Sequence, residues 1–331
     1  MSESALQPET INVHLSNVYP ALALLAGMQL DIFSPLAQGP CTVEALATTL
    51  RVKPGKLRPL LYALVTARLL TLEQECFANT PEAQTFLVKN QPRYLGGSAA
   101  AYADLWASTL FTAASIRAGA PQAKHDFSKL PQKALNAFIR GLDAGAAATA
   151  RRLHKDYDLT HYRQLLDAGG GSGGLAIGLT RLCPTLQATV AELPNVAGIT
   201  SACIAEAILE DRIQVLETDL LTGPIRGRYD LITLRAVLQV LSASDARRVV
   251  ANVVATLEPG GRLFIIGRML DNSRLSPPDA VAANVMFLNI YDEGQAYTEN
   301  EYRTWLTEAG LGRIERQTLK GGYSVMSGIR R

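Results

Sequence analysis

The chain has 331 residues, 48% of them apolar and 19% charged, and a net charge of +2. That length fits about two globular domains, and the near-neutral balance gives no electrostatic footprint for nucleic acid. No run of about 18 apolar residues is present to span a bilayer, and the four scattered cysteines (Cys41, Cys76, Cys183, Cys203) form no CxxC pair or metal-spaced cluster, so neither a disulfide framework nor a metal site is expected.

The acidic start lacks the apolar core of a signal peptide, and a cytoplasmic location is expected. Residues 1–100 read as helical. Apolar residues at helical spacing fill Ile11 to Phe33, Thr42 is placed to cap the next helix, and Pro54 opens a third. Leu69 to Phe77, followed by Asn79-Thr80-Pro81, reads as a short hairpin. Three helices and a hairpin make a winged-helix arrangement. Residues 101–160 form an Ala-rich helical linker with Trp106, Phe111 and Phe138.

From Tyr162, in the region 161–331, the pattern changes to alternating strands and helices, which implies a parallel sheet. Strands are expected at 164–168, 187–192, 213–217, 229–234 and 262–267, with Pro259-Gly260-Gly261 as the turn into the fifth. A helix at 299–309 precedes two closing strands, 312–319 and 323–329. The Lys320-Gly321-Gly322 connection makes these antiparallel neighbours.

The densest signal lies at the end of the first of these strands. Leu165-Leu-Asp-Ala-Gly-Gly-Gly-Ser-Gly-Gly carries glycine at five of the six positions 169–174, and a helical apolar pattern follows. Such a turn exposes backbone N–H groups to a nucleotide-like ligand. Gly169-x-Gly171-x-x-Gly174 fits a dinucleotide fingerprint, with Glu192 near the expected ribose acid. Asp167, two residues before Gly169, decides against it. A carboxylate there repels a pyrophosphate but can hold the cationic amino-acid end of S-adenosylmethionine. The closing hairpin, which dinucleotide folds usually lack, points the same way.

With these motifs, the chain resembles class I S-adenosylmethionine-dependent methyltransferases, and more closely the caffeate/acetylserotonin-type small-molecule O-methyltransferases. The likeness runs over nearly the whole chain. It rests on Leu166-Asp-Ala-Gly-Gly-Gly-Ser-Gly, Ala191-Glu-Leu-Pro-Asn-Val, Glu217-Thr-Asp-Leu, Tyr229-Asp-Leu-Ile-Thr-Leu-Arg-Ala-Val-Leu and Leu257-Glu-Pro-Gly-Gly-Arg-Leu. The resemblance implies an α/β, Rossmann-like doubly wound sheet with an antiparallel closing hairpin. It also implies an N-terminal all-α winged-helix domain that makes a homodimer, a small-molecule acceptor of secondary metabolism, and no nucleic-acid or membrane partner. By position, Gly169, Gly171 and Gly173 line the methionine and ribose, Glu192 takes the ribose hydroxyls, and Leu193 beside it belongs to the cofactor site. Asp219 and Leu220 flank adenine, and Arg235 stands beside the cofactor. Trp106, Phe111, Leu142, Gln239, Met286 and Asn289 line an apolar acceptor pocket.

The chain departs from the family where proton transfer belongs. Members carry His-Asp-Trp after the fourth strand, the His being the general base; here the positions read Gln239-Val240-Leu241. The two supporting glutamates are absent, one position being Gly267 and the other falling in Gln295-Ala296-Tyr297-Thr298. A glutamine cannot take a proton near neutral pH, so Gln239 is expected to orient the acceptor. Asp292 is the foremost substitute base, ahead of Tyr291, Glu293 and His14. O-methylation is favoured by the resemblance, with N- or C-methylation open. Two alternatives stand beside it: a non-methylating S-adenosylmethionine enzyme, and a winged-helix DNA-binding regulator using Arg51, Lys53, Lys56 and Arg58.

Overall fold

A computed structural model describes residues 6–126 and 129–331. The chain divides into two compact units, the first ending at Ala103 and the second beginning at Asp104.

In the first unit, helices Val43–Leu50 and Pro54–Thr66 and the hairpin β1 (Leu70–Glu73) and β2 (Cys76–Asn79) enclose Phe33, Leu46, Leu61, Leu64 and Phe77. Thr42 caps its helix by accepting the Ala45 N–H at 3.3 Å. The single helix expected from Ile11 to Phe33 is instead split into Glu9–Ser16 and Val18–Gln29, with a short third helix at Phe33–Leu36. Pro20 explains the first break. It has no N–H to give Ser16, four residues back, and its ring crowds that carbonyl.

The second unit is built on an eight-stranded sheet. Its strands are β3 (Gln164–Ala168), β4 (Gln187–Glu192), β5 (Ile213–Glu217), β6 (Tyr229–Arg235), β7 (Leu257–Leu270), β8 (Tyr297–Thr298), β9 (Leu311–Thr318) and β10 (Tyr323–Arg330). The main order is β5-β4-β3-β6-β7-β10-β9, with β8 paired to β7. β3 to β7 run parallel, and β10 inserts antiparallel between β7 and β9. Gly321 and Gly322, at φ +80° and +76°, make the tight reversal between β9 and β10.

Side chains alternate across the sheet. Leu166, Ile232, Leu263 and Ile265 join one core with Val249, Val253 and Trp305; Leu165, Leu231, Phe264 and Ile266 join the other with Leu153, Leu175 and Leu179. The Ala-rich stretch has a packing reason. A Cβ at Gly178 would lie 2.5 Å from Ala150 Cβ, and one at Gly174 would lie 3.1 Å from Ala146 Cβ. Small residues on both partners therefore let helix Asp143–Asp156 seat closely on helix Gly174–Leu182.

One expectation is corrected and one strand is added. Pro259-Gly260-Gly261 is an irregularity within β7 rather than a turn before it: Tyr229 pairs with Leu257 and Leu231 with Arg262. β8 is too short for a periodic signal.

From β3 the chain winds outward to β4 and β5, then returns to place β6 on the other side of β3. Ligands of open α/β sheets bind outside the strand ends at such a reversal. The residues after β3 and β6 are thus brought to one crevice: Gly169 to Gly174 on one lip, Arg235 to Gln239 on the other.

Candidate active site

The glycines after β3 have separate reasons to be glycine. A Cβ at Gly169 would lie 2.5 Å from Val237 Cγ2, and one at Gly170 would lie 2.7 Å from both Asp167 Oδ2 and Val190 Cγ1. These two are demanded by the protein's own packing. Gly171 is different: φ is +60°, and a Cβ would meet nothing nearer than Ile139 Cγ2 at 3.9 Å. The protein leaves room there for something else. The Gly171 N–H donates to Glu192 Oε2 at 2.8 Å, and Glu192 Oε1 accepts the Leu193 N–H at 2.8 Å. Burial pushes the Glu192 carboxyl above the usual range, opposed by these two N–H donors. Leu193 is the N-cap of helix Pro194–Glu206, and Gly173, at φ +77°, is the N-cap of helix Gly174–Leu182.

Asp167 does not face the crevice. It has no exposed surface, Oδ1 accepts the Thr233 hydroxyl at 2.8 Å, and Oδ2 accepts the Ala176 N–H at 3.3 Å. It shares the face of β3 used by Leu165, under helix Gly174–Leu182. Burial pushes it up to about 6, against the pull of both hydrogen bonds and of Arg235. The expectation that it holds the ligand's amino group directly is corrected: Asp167 ties the loop to the neighbouring strand and helix.

The carboxylate that stands against the outside of the loop is Asp143, which sequence reading missed. It accepts the Ser172 hydroxyl, and a Cβ at Gly174 would lie 2.8 Å from its Oδ1. Arg235 leans on the same helix, its Nε donating to Thr149 Oγ1 at 3.3 Å. Asp219 closes its own turn, accepting the Leu221 N–H at 2.8 Å and the Thr222 hydroxyl at 3.0 Å. Leu220 is drawn into the core with Ala168 and Ala191, which limits what it can offer an adenine ring.

On the other lip, Gln239 is buried, with 8% of its surface exposed. Its Oε1 accepts the backbone N–H of Arg268 at 3.1 Å. Because a backbone N–H can only donate, the oxygen must be the end that faces β7. The end left over is the NH2, which can only donate. Gly267 belongs to the same arrangement, because a Cβ there would lie 2.9 Å from Gln239 Oε1.

Asp292 is corrected as a base. It is 63% exposed and paired with Lys124 at 2.5 Å, a solvated ion pair. Asn289 is corrected as a pocket residue. It is fully buried; Oδ1 accepts the Ser115 hydroxyl at 2.8 Å, and Nδ2 donates to Thr112 Oγ1 and to the Val285 carbonyl, each at 3.0 Å. It clasps helix Thr112–Ala118 to helix Pro278–Ile290. Trp106, Leu142 and Met286 are half-buried, and Phe111 is exposed at the start of helix Thr112–Ala118. Among the described residues no cluster of His, Cys, Asp or Glu could hold a metal ion, and no helix is long and apolar enough to cross a membrane.

The O-methyltransferase domain family matches residues 118–312, and the O-methyltransferase dimerisation domain family matches residues 14–89. The chain belongs to the O-methyltransferase family. It is an S-adenosylmethionine-dependent methyltransferase, with the fold class that the sequence implied. It is 28% identical to a 3-hydroxy-5-methyl-1-naphthoate 3-O-methyltransferase of Streptomyces sahachiroi, over 95% of this chain and 93% of that one. It is also 28% identical to the N,N-dimethyltransferase OxyT of Streptomyces rimosus, over 88% and 87%. The crystal structure of human N-acetylserotonin methyltransferase in complex with S-adenosylmethionine superposes with a TM-score of 0.85 at 23% identity, covering 100% of this chain and 99% of that one.

The crevice fits the family's methyl donor on the observation already made at Gly171, where an open position meets a backbone N–H and a carboxylate. Glu192 has the chemistry to accept two vicinal hydroxyls, and Asp143 is the carboxylate held by the Ser172 hydroxyl beside the loop. The family's acid–base machinery has no counterpart at Gln239 or Gly267.

Proposed function

We propose that this methyltransferase methylates a phenolic oxygen on an aromatic ring that carries a carbonyl or carboxylate beside the hydroxyl. The orientation of Gln239 carries this reading. Its free end is a donor. Donated to the reacting oxygen, that hydrogen bond would draw charge from it and weaken it as a nucleophile. Donated to a neighbouring carbonyl, it holds the ring in place and competes with the internal hydrogen bond that such a carbonyl makes with the hydroxyl. When bound, S-adenosylmethionine supplies an electrophilic sulfonium methyl. The chain supplies position: Glu192, itself held by the Gly171 N–H, fixes the donor's ribose end, and Gln239 fixes the acceptor. Holding two reactants in line accounts for much of the acceleration in such reactions. The naphthoate named for the first relative carries a hydroxyl and a carboxylate on one ring, at C3 and C1 rather than on adjacent carbons.

The test is a panel of hydroxynaphthoates, hydroxyanthraquinones, simple phenols and aryl amines, read by mass spectrometry for a gain of one methyl. The hydroxyl compounds with an adjacent carbonyl or carboxylate are expected to react best. Methylation of the amines alone would replace this reading by N-methylation.

We further propose that residues 1–100 form a homodimer. Ile11, Leu15, Tyr19 and Leu22 are exposed on helices Glu9–Ser16 and Val18–Gln29, at the spacing of one apolar stripe. Light scattering is expected to give twice 35.6 kDa, and Leu15→Lys with Leu22→Lys to give the monomer mass.

A further inference from the structure

With Asp167 turned inward, the carboxylate that the sequence offered to the donor's amino group has no exposed surface. Asp143 is placed differently. It opens helix Asp143–Asp156 and is half-buried. Its Oδ1 accepts the Ser172 hydroxyl and lies 2.8 Å from where a Cβ at Gly174 would be. Asp143 thus touches the glycine loop itself, where helix Gly174–Leu182 begins. Its Oδ2 has no hydrogen-bond partner among the described residues. We propose that Asp143 and Arg235 together hold the zwitterionic amino-acid end of S-adenosylmethionine, Asp143 taking the ammonium and Arg235 the carboxylate. This rests on the donor site and not on the identity of the acceptor.

Arg235 ends β6 and reaches the same helical turn as Asp143. Its Nη2 lies 2.5 Å from where a Cβ at Gly145 would be, so a side chain at 145 would displace the guanidinium. Its Nε donates to Thr149 Oγ1 at 3.3 Å, which anchors the stem and leaves the Nη donors for a ligand. Opposite charges therefore stand on one turn, at Asp143 and over Gly145. Among the described residues neither forms an ion pair, with the other or with anything else. The nearby Arg140 is already committed, both of its terminal nitrogens donating to Glu206 at 2.8 and 2.7 Å. Two half-buried charges left unmatched are costly unless a ligand brings their counter-charges. An α-amino acid brings one of each. Burial raises the Asp143 carboxyl, opposed by the Ser172 hydroxyl and by the charges of Arg140 and Arg235. An ammonium on Oδ2 would act in the same sense as those three.

The two carboxylates at the loop divide the donor between them. Glu192 accepts the Gly171 N–H, and Asp143 accepts the hydroxyl of Ser172, the next residue. A donor with its ribose at Glu192 therefore runs along the loop toward Asp143. Ile139, four residues before Asp143, is the side chain that faces the open position at Gly171. The segment from Ile139 to Asp143 thus follows the loop from Gly171 to Gly174. Fixing both ends of the donor fixes the direction of the sulfonium between them.

The test is calorimetry on the whole enzyme with three ligands. S-adenosylhomocysteine carries the full amino-acid end, its decarboxylated analogue keeps only the ammonium, and 5′-methylthioadenosine has neither charge. Asp143→Asn is expected to weaken S-adenosylhomocysteine and the decarboxylated analogue by about 10- to 100-fold, the usual range for a hydrogen bond to a charged group. It should change methylthioadenosine by no more than about twofold, because asparagine still accepts the Ser172 hydroxyl. Arg235→Gln should weaken S-adenosylhomocysteine alone. Ser172→Ala, which loosens the loop and keeps the carboxylate, should affect the three ligands alike. Equal weakening of all three by Asp143→Asn would make Asp143 a loop support and overturn the assignment. So would unchanged S-adenosylhomocysteine affinity in Asp143→Asn, or a decarboxylated analogue that responds to Arg235→Gln and not to Asp143→Asn. Failure of the unmodified enzyme to bind S-adenosylhomocysteine would overturn the donor site itself, and this assignment with it.

Discussion

Two side-chain oxygens at the crevice do the same local job and have opposite consequences. Glu192 Oε2 accepts a backbone N–H at Gly171, and Gln239 Oε1 accepts one at Arg268. Glu192 keeps further acceptor capacity after that bond, whereas in Gln239 the oxygen is turned to β7 and the end of the amide beyond it is a donor. The cofactor lip is therefore built for hydroxyls and the acceptor lip for an oxygen lone pair. The first kind of site is made largely from backbone geometry, which tolerates little change. The second is made from side chains, and here the glycine at 267 leaves room for the glutamine oxygen at 239.

The comparison breaks most visibly at Gly171. Gly171→Leu would fill the open position and force a side chain into φ +60°. We expect S-adenosylhomocysteine affinity to fall by at least about 100-fold in calorimetry while the fold, by circular dichroism, survives. The same loss from Gly169→Ala would be read as loop collapse, since Val237 occupies that space. Glu192→Ala removes charge-assisted hydrogen bonds worth about 1.5–3 kcal/mol, so a weakening of about 10- to 100-fold is expected, with little change in kcat at saturating cofactor.

Asp167 sharpens the comparison by separating support from contact. Its proton is held more tightly in the folded chain than in the unfolded one, where the ordinary value is 3.8. Between about 4 and 6 the native state therefore binds more protons, and stability falls as pH rises through that window. The shift bounds the effect at about 3 kcal/mol. In Asp167→Asn this slope should flatten in denaturant melts run from pH 4 to 7. A slope that persisted unchanged would assign it to other groups. The smallest effect is expected from Asp292→Asn, less than about twofold in kcat, because an exposed ion pair contributes little.

The parallel strands and the glycine turn were legible in the sequence because their signals are local: the apolar period switches, and five glycines crowd into one turn. The two lips could be named from the motifs for the same reason. What was not legible depends on pairings between distant segments. Asp167 sits at the end of an otherwise apolar strand, and only the Thr233 hydroxyl on β6 and the Ala176 N–H show that it turns inward. Asn289 looked like a polar group in a pocket until both ends of its amide proved to be taken by helix Thr112–Ala118 and its own helix. Asp104 sits on helix Ala99–Thr109 and His125 in the loop beyond it, and no motif or periodicity reports their contact. Asp292, by contrast, lay in the expected segment, and its lysine partner is what removes it.

The central claim is that donor binding and acceptor orientation are separate and that Gln239 serves only the second. Gln239→Ala tests it most directly, measured for S-adenosylhomocysteine affinity by calorimetry and for kcat on 3-hydroxy-2-naphthoate. Loss of one neutral hydrogen bond of about 1–1.5 kcal/mol predicts a fall in kcat of about 5- to 10-fold with affinity unchanged. A fall of 10³-fold or more would make Gln239 the dominant catalytic group, and a parallel loss of S-adenosylhomocysteine binding would show that the two lips are one site.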